Sequence, residues 1–406
     1  MGHSIVNTKN AYVAILLLGI VSLLGDVVYE GSRGIVTPYL EFLLTPAFAI
    51  IFVGRFGEFL GYALRLVSGR LADTTRAYWF FIFLGYGLIV SIPLLGIVGT
   101  WQIAVILVLL ERIGKAIRSP SRDAVLSIVS RGVGTGKAFG IHELLDQIGA
   151  ILGPLIVVCL MFYTSNNYNL TFSLLSFPFI MLLTFLAYTY KRIGWSKTSE
   201  PAEVKPEKTG EKLGRAFYFY TFAVLLNAIG LIPFELILLK ATKMLEPTNQ
   251  LWIVPLIYTL IQGVDAPTAL FAGFAYDKFK IRVLVLPFII SVVPTFFAMA
   301  NADLAMLVVA AVFFGLVLGM QESIYRAAVS GFAPISLRGT AYGIFNTTYG
   351  VGILASGAAY GLMVELKISY LAVIAYVLVT QAVAVVLLLN AYSQTQTRQE
   401  KKCLKP

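Results

Sequence analysis

Along most of the chain apolar residues run for about twenty positions at a time, a length that matches the bilayer hydrocarbon core, as in AYVAILLLGIVSLLG and AVIAYVLVTQAVAVVLLL. A membrane barrel would instead alternate polar and apolar residues at every second position. The pattern predicts helical spans near 11–42, 47–70, 78–98, 101–123, 136–163, 169–190, 214–240, 250–273, 282–300, 303–331, 339–364 and 369–392. The expected fold is therefore an all-α membrane protein with twelve transmembrane helices, six in each half.

The two halves repeat one another. Gly25 and Glu30 in LLGDVVYEG return 205 positions later as Gly230 and Glu235 in AIGLIPFEL, and Gly69 and Asp73 return 204 positions later as Gly273 and Asp277. Arg122, Ala138 and Gly140 are echoed by Arg326, Ala341 and Gly343. A duplicated membrane half is the usual construction of a secondary transporter, in which two pseudo-symmetric bundles work around a site. Between the halves the composition turns to KRIGWSKTSEPAEVKPEKTGEKLGR, rich in Lys, Glu and Pro. The expected organisation is a first six-helix bundle at 1–190, a cytoplasmic linker at 191–213, a second bundle at 214–393 and a tail at 394–406.

Composition agrees: 58% of the 406 residues are hydrophobic and only 13% charged, with a mean hydropathy of +0.83, too apolar for a soluble chain of this length. The net charge of +10 sorts by side rather than into one patch. With the N-terminus inside, Arg70, Arg76, Arg131, Lys137, Lys191, Arg192, Lys278, Lys280, Arg282, Arg338 and Arg398 fall in inner segments, against Lys240, Lys243 and Lys367 outside. This asymmetry predicts cytoplasmic termini in the plasma membrane and removes nucleic acid as a partner. Cys159 and Cys403 lie in different surroundings, so no disulfide is expected.

The polar residues inside the spans keep to helical stripes. Asp26, Glu30 and Arg33 share a face of the first span; Arg55, Glu58, Tyr62 and Arg65 do so in the second; Glu111, Lys115, Arg118 and Arg122 in the fourth, with Arg112 beside them; His142 and Asp146 in the fifth. An ionisable group at the centre of a lone span costs roughly 2.5–3.5 kcal/mol, so these groups must face one another or water. One reading is a water-accessible cavity whose carboxylates bind substrate or protons. The other is an ion-pair network clamping the helices, with Arg65 and Arg118 snorkelling to the inner surface and Arg33 to the outer. Asp26 and Glu30, mid-span beside Gly25, are the carboxylates expected to escape pairing, and Glu235 repeats Glu30. The second half is less charged, with Glu235, Asp265, Glu322 and Arg326 beside Asn227, Gln262, Gln321 and Asn346; Glu322 and Arg326 have the spacing of a helical pair. Tyr342, Phe345 and Tyr349 form an aromatic stripe read as packing.

These features resemble the major facilitator superfamily over essentially the whole chain. Gly69-Arg-Leu-Ala-Asp73 is similar to the family's G-x-L-a-D signature in the loop after span two, with Arg76 left from the basic run, and Gly273-Phe-Ala-Tyr-Asp277 is its weaker copy. The resemblance implies a gating role at the bundle interface for Gly69, Asp73, Arg76, Gly273 and Asp277, to which Arg118 and Arg122 are added. Gly140, Gly149, Gly153 and Pro154 resemble the antiporter signature of the family's exporters, although Val157-Val158 stands where a glycine pair continues the pattern. Arg112 is similar to the family's span-four arginine linked with proton transfer.

The expectation is a secondary transporter, not an enzyme, exchanging protons for a small solute moving outward, with Asp26, Glu30, Arg55, Glu58, Glu111, Arg112, His142, Asp146 and Glu235 as coupling or substrate residues. Its partners are protons, the solute and the bilayer, and a monomer without cofactor or metal is expected. A proton symporter or a divalent-metal exporter is the alternative within the fold. An intramembrane hydrolase built on His142, Glu143 and Asp146 lacks any accompanying H-E-x-x-H or G-x-S-x-G motif.

Overall fold

The computed structural model describes residues 8–130, 133–194, 212–300, 303–334 and 337–403. Among these residues helices are the regular elements. We number the long stretches α1 (Thr8–Phe42), α2 (Ala47–Thr75), α3 (Tyr78–Ile97), α4 (Trp101–Val129), α5 (Thr135–Tyr163), α6 (Tyr168–Ile193), α7 (Arg215–Thr248), α8 (Ile253–Phe279), α9 (Arg282–Met299), α10 (Leu304–Phe332), α11 (Arg338–Glu365) and α12 (Tyr370–Cys403). Among the described residues ten of these are long and apolar enough to cross a membrane by length and composition. The other two, α4 and α11, are as long but less apolar: α4 carries the row from Glu111 to Asp123, and α11 is rich in Gly, Thr and Tyr. Most of the expected linker, 195–211, lies outside the described residues, and the expected tail continues α12 as helix to Cys403.

Turns between helices are short and pass through the left-handed region, on one residue in most and on Ser165 and Asn166 together in one. Leu44, Arg76, Asn166, Asn249, Lys280 and Lys367 all have φ between 51° and 64°, the conformation that ends a helix by folding the chain back on its last carbonyls. The G-x-L-a-D signature, expected in a loop, is helical: Gly69–Asp73 lies within α2 and Gly273–Asp277 within α8. No helix-breaking residue intervenes before the left-handed Arg76, so the helix runs on past the apolar stretch.

Two prolines show how backbone polar groups are satisfied away from water. Pro120 sits inside α4 and donates no hydrogen bond to the Ala116 carbonyl one turn back; Ser68 Oγ donates to that carbonyl instead, at 2.8 Å. α7 is broken into Arg215–Gly230 and Phe234–Leu245 by the extended Leu231 and by Pro233. The carbonyls freed at the break accept from Tyr376 at Ile229 (3.1 Å), Tyr360 at Gly230 (2.8 Å) and Ser356 at Leu231 (2.7 Å). The break places Glu235 in the first turn of the second piece, where a carboxylate suits the helix dipole.

The chain divides into two units. Unit 1 comprises Met1–Thr45, Leu60–Glu203 and Leu245–Thr259; unit 2 comprises Pro46–Phe59, Val204–Met244 and Leu260–Pro406. Each unit thus includes a segment from the other half of the sequence, the start of α2 in unit 2 and the start of α8 in unit 1.

Unit 1 is built on a close α1–α5 seam. A Cβ on Gly149 would lie 2.6 Å from the Leu23 carbonyl oxygen and 2.8 Å from Asp26 Cβ, and one on Gly153 would lie 2.7 Å from the Val27 carbonyl oxygen. Only glycine allows this approach of two backbones. Unit 2 is centred on aromatic packing. Tyr220 stacks on Phe332 and Phe345 with centroids 4.8 and 5.8 Å apart, and Phe345 stacks in turn on Tyr349.

Candidate functional site

The polar stripes of α1, α4 and α5 meet inside unit 1. Glu30, buried, is held from three sides: Arg33 Nη1 lies 3.2 Å and Lys115 Nζ 3.4 Å from Oε1, and the Tyr258 hydroxyl donates to Oε2 at 2.7 Å. The expectation that Glu30 escapes pairing therefore differs from the geometry, because α4 brings Lys115 to it and the start of α8 brings Tyr258. Tyr29, one position before Glu30 on α1, receives cations on its ring: Lys115 Nζ is 4.5 Å and the Arg118 guanidinium carbon 5.0 Å from its centroid.

Arg118 does not snorkel. It is buried, lies over Tyr29 and Tyr86, donates to the Gly85 carbonyl at 3.2 Å and stands 3.8 Å from Glu111. Arg112 lies 3.5 Å from the other oxygen of Glu111. Arg33, expected at the outer surface, is turned inward to Glu30.

Two turns along α4 the arrangement changes sign. Arg122 donates to Ser22 Oγ at 2.8 Å and to Asp123 at 3.1 Å, and stands 3.4 Å from Asp146 Oδ2. His142 Nδ1 is 3.4 Å from the same Asp146 oxygen. His142 Nε2 is buried with no hydrogen-bond partner among the described residues. Asp26 sits against Gly149, buried, and among the described residues no cation comes within ion-pair distance of it. It is the carboxylate of this cluster that no guanidinium or ammonium holds. Among the described residues no group of three or more His, Cys, Asp or Glu side chains could hold a metal ion: Glu30 is taken up by Arg33, Lys115 and Tyr258, while His142 and Asp146 face each other.

The stripe on α2 is divided between the units, Arg55 and Glu58 in unit 2, Tyr62 and Arg65 in unit 1. Arg55 Nε lies 2.9 Å from Glu235 Oε2, with its guanidinium over Phe234 and Phe314. Asp265 is also buried in unit 2, while the polar cluster around Asn227 is uncharged. Asn227 accepts on Oδ1 from Gln321 (2.9 Å) and Tyr325 (2.7 Å), and donates from Nδ2 to Ser291 (2.9 Å) and Gln381 (2.8 Å). Gln321 opens a π-helical turn, Gln321–Tyr325, in α10, and its Oε1 accepts from Tyr349 at 2.9 Å.

The signature residues lie apart from both clusters. Asp73 is exposed and accepts from Tyr78 at 3.0 Å, Gly69 packs on Pro120, Gly273 lies near Ser323, and Arg76 and Asp277 are exposed. Gly140 faces open space, whereas Gly149 and Gly153 form the α1–α5 seam and Pro154 is buried within α5. Sequence reasoning missed Ser22, Tyr29, Tyr86, Tyr258, Tyr325 and Gln381. Ser22 and Tyr29 were within reach, since they share the α1 face of Asp26, Glu30 and Arg33; Tyr258 stands alone in an apolar run.

Comparison with known proteins agrees with this architecture. The family model described as the Major Facilitator Superfamily matches residues 23–357. An uncharacterized protein of Mycobacterium bovis is 33% identical over 370 residues, 90% of each chain. An uncharacterized MFS-type transporter of Methanocaldococcus jannaschii is 27% identical over 87% of this chain and 88% of its own. Among solved structures, a variant of the nucleoside transporter NupG superposes with a TM-score of 0.72 at 16% identity, covering 94% of this chain and 99% of its own. A bacterial homolog of the human lysosomal transporter Spinster gives 0.70 at 12% identity, over 95% and 98%.

Proposed function

The chain belongs to the major facilitator superfamily, and from that premise we propose that it couples the movement of a small solute to protons bound at Asp26. It is a membrane transporter rather than an enzyme. The observation that carries the coupling is the buried, unpaired state of Asp26 within a cluster whose other carboxylates are held by cations. A proton on Glu30 forfeits contacts to Arg33, Lys115 and Tyr258, and one on Asp146 weakens the contact to Arg122; a proton on Asp26 breaks no ion pair. A site that must load and unload in each cycle is best built from such a group. Asp146, near Asp26 across the α1–α5 seam and joined to His142, is the candidate group for passing the proton on.

Exchange, with solute leaving as protons enter, is supported by the resemblance of Gly140, Gly149, Gly153 and Pro154 to the exporters' signature. Symport is the second reading, and a specific observation favours it: Gly149 and Gly153 are accounted for by helix packing alone, and Lys115 lies within electrostatic range of both Asp26 and Asp146. The distribution of Lys and Arg supports cytoplasmic termini.

The test is proteoliposomes loaded with a pH-sensitive dye and presented with candidate solutes. Solute-dependent proton movement that vanishes in Asp26→Asn supports the reading, and its sign separates exchange from symport. Coupling of undiminished stoichiometry in Asp26→Asn removes Asp26 from the mechanism.

A further inference from the structure

The stripes of unit 1 hold similar numbers of acids and bases in sequence, but the fold separates them. Around Glu30 and Glu111 stand Arg33, Arg112, Lys115 and Arg118, whereas Arg122 alone faces Asp123 and Asp146. In the first group four cations thus stand about two carboxylates, with Asp26 within electrostatic range of Lys115. Most of that charge is fixed: Arg112 and Arg118 are buried, their side chains 8% and 3% exposed. Lys115 differs. Its side chain is 26% exposed although it lies at the middle of the 29-residue α4, too far from either end for a snorkelling chain to reach an interface.

Lys115 is also under-used. An ammonium carries three donors, and among the described residues its polar contact is one 3.4 Å bond to Glu30 Oε1, an oxygen shared with Arg33 at 3.2 Å. The other Glu30 oxygen is taken by Tyr258. Beneath the ammonium lies the Tyr29 ring at 4.5 Å, which positions it without using a donor. A cation about a quarter exposed, with spare donors, among further cations and mid-helix where lipid is a costly neighbour for charge, has the chemistry of an anion site.

We propose that the transported solute carries an anionic group, a carboxylate or a phosphate, that binds at Lys115 above Tyr29. The inference rests on the transporter reading and names the substrate class for it. It also bears on coupling: an anion at Lys115 and a proton at Asp26, within electrostatic range of that lysine, favour each other's binding, which is the signature of symport rather than exchange.

The experiment is a thermal-shift titration of the purified full chain in neutral detergent with succinate, glucose 6-phosphate, tetraethylammonium and glucose. Succinate or glucose 6-phosphate is expected to raise the midpoint while tetraethylammonium and glucose do not. Lys115→Gln is expected to weaken the anion by about tenfold or more, the loss of one charge-assisted hydrogen bond, and Lys115→Arg to retain it. Glu30→Gln is expected to act oppositely and tighten anion binding, because it removes the competitor for Lys115; a purely structural role for the pair would weaken binding in both variants. Stabilisation by the cation or the sugar alone, no shift with either anion, or an anion shift unchanged in Lys115→Gln overturns the proposal. Phosphatidylglycerol added to the detergent separates the sources: if the lipid raises the midpoint and displaces both soluble anions, the site holds a headgroup and the solute assignment is overturned. Anion binding without solute-dependent proton movement in proteoliposomes would retain the site and sink the coupling reading instead.

Discussion

Glu30 and Glu235 occupy equivalent places in the repeated halves and have become different groups. Glu30 lies in the unbroken α1, among two cations and a phenol. Glu235 begins a new helical piece after Pro233 and pairs with Arg55, whose guanidinium lies over Phe234 and Phe314. Around them the contrast widens. Unit 1 holds charges that are incompletely matched, with Asp26 unpaired, Lys115 part-exposed and His142 Nε2 unpartnered among the described residues. In unit 2 the Asn227 side chain uses both donors and accepts twice on its oxygen, in contacts of 2.7–2.9 Å. A fully satisfied amide hub rigidifies; an unsatisfied charged one is available to change state. On the proposed reading, the proton and solute chemistry belongs to unit 1.

The sharpest way to break this comparison is Asp26→Asn, which is expected to abolish solute-dependent proton movement with the thermal midpoint little changed. The same flux assay on Glu235→Gln paired with Arg55→Met should find coupling intact. Next in size is the stability of the charged pair in unit 2. Arg55→Met alone leaves Glu235 buried without its cation and should cost about 3–5 kcal/mol, whereas adding Glu235→Met should recover most of the loss, read by chemical or thermal denaturation. Gly149→Ala should cost about 1–3 kcal/mol, since the new methyl overpacks the α1–α5 seam; it should lower the thermal midpoint without altering the sign of proton movement. The smallest effect is that of Tyr258→Phe, about 1.5 kcal/mol for a hydrogen bond to a carboxylate, seen as a modest fall in midpoint.

Much of this was legible in the chain. Apolar runs marked the helices, and the repeat of Gly25 and Glu30 at Gly230 and Glu235 marked the duplication. The stripes on α1, α4 and α5 pointed to the faces that meet. What stayed hidden was pairing within the stripes, because a helical spacing states which residues share a face but not the register of the facing helix. Asp26 and Glu30 looked alike for that reason, and the positions of Arg33, Lys115 and Tyr258 part them. Arg118 has the sequence surroundings of a snorkelling residue, yet it packs on Gly85, whose missing side chain makes room for it. The break in α7 was signalled by Gly230 and Pro233 but was submerged in the apolar run at 214–240. In α4 the opposite happened: its charged row makes the helix less apolar than its neighbours while carrying the chemistry.

The most direct test of the claim that the proton is bound at Asp26 is infrared difference spectroscopy of the reconstituted protein across a pH titration, observing the C=O stretch of protonated carboxyl groups. The account predicts a titrating carboxyl band in the wild type that is lost in Asp26→Asn and kept in Glu30→Gln and Glu235→Gln. A band that survives Asp26→Asn and disappears in either glutamate variant would contradict it and move the proton to the residue whose substitution removed the signal.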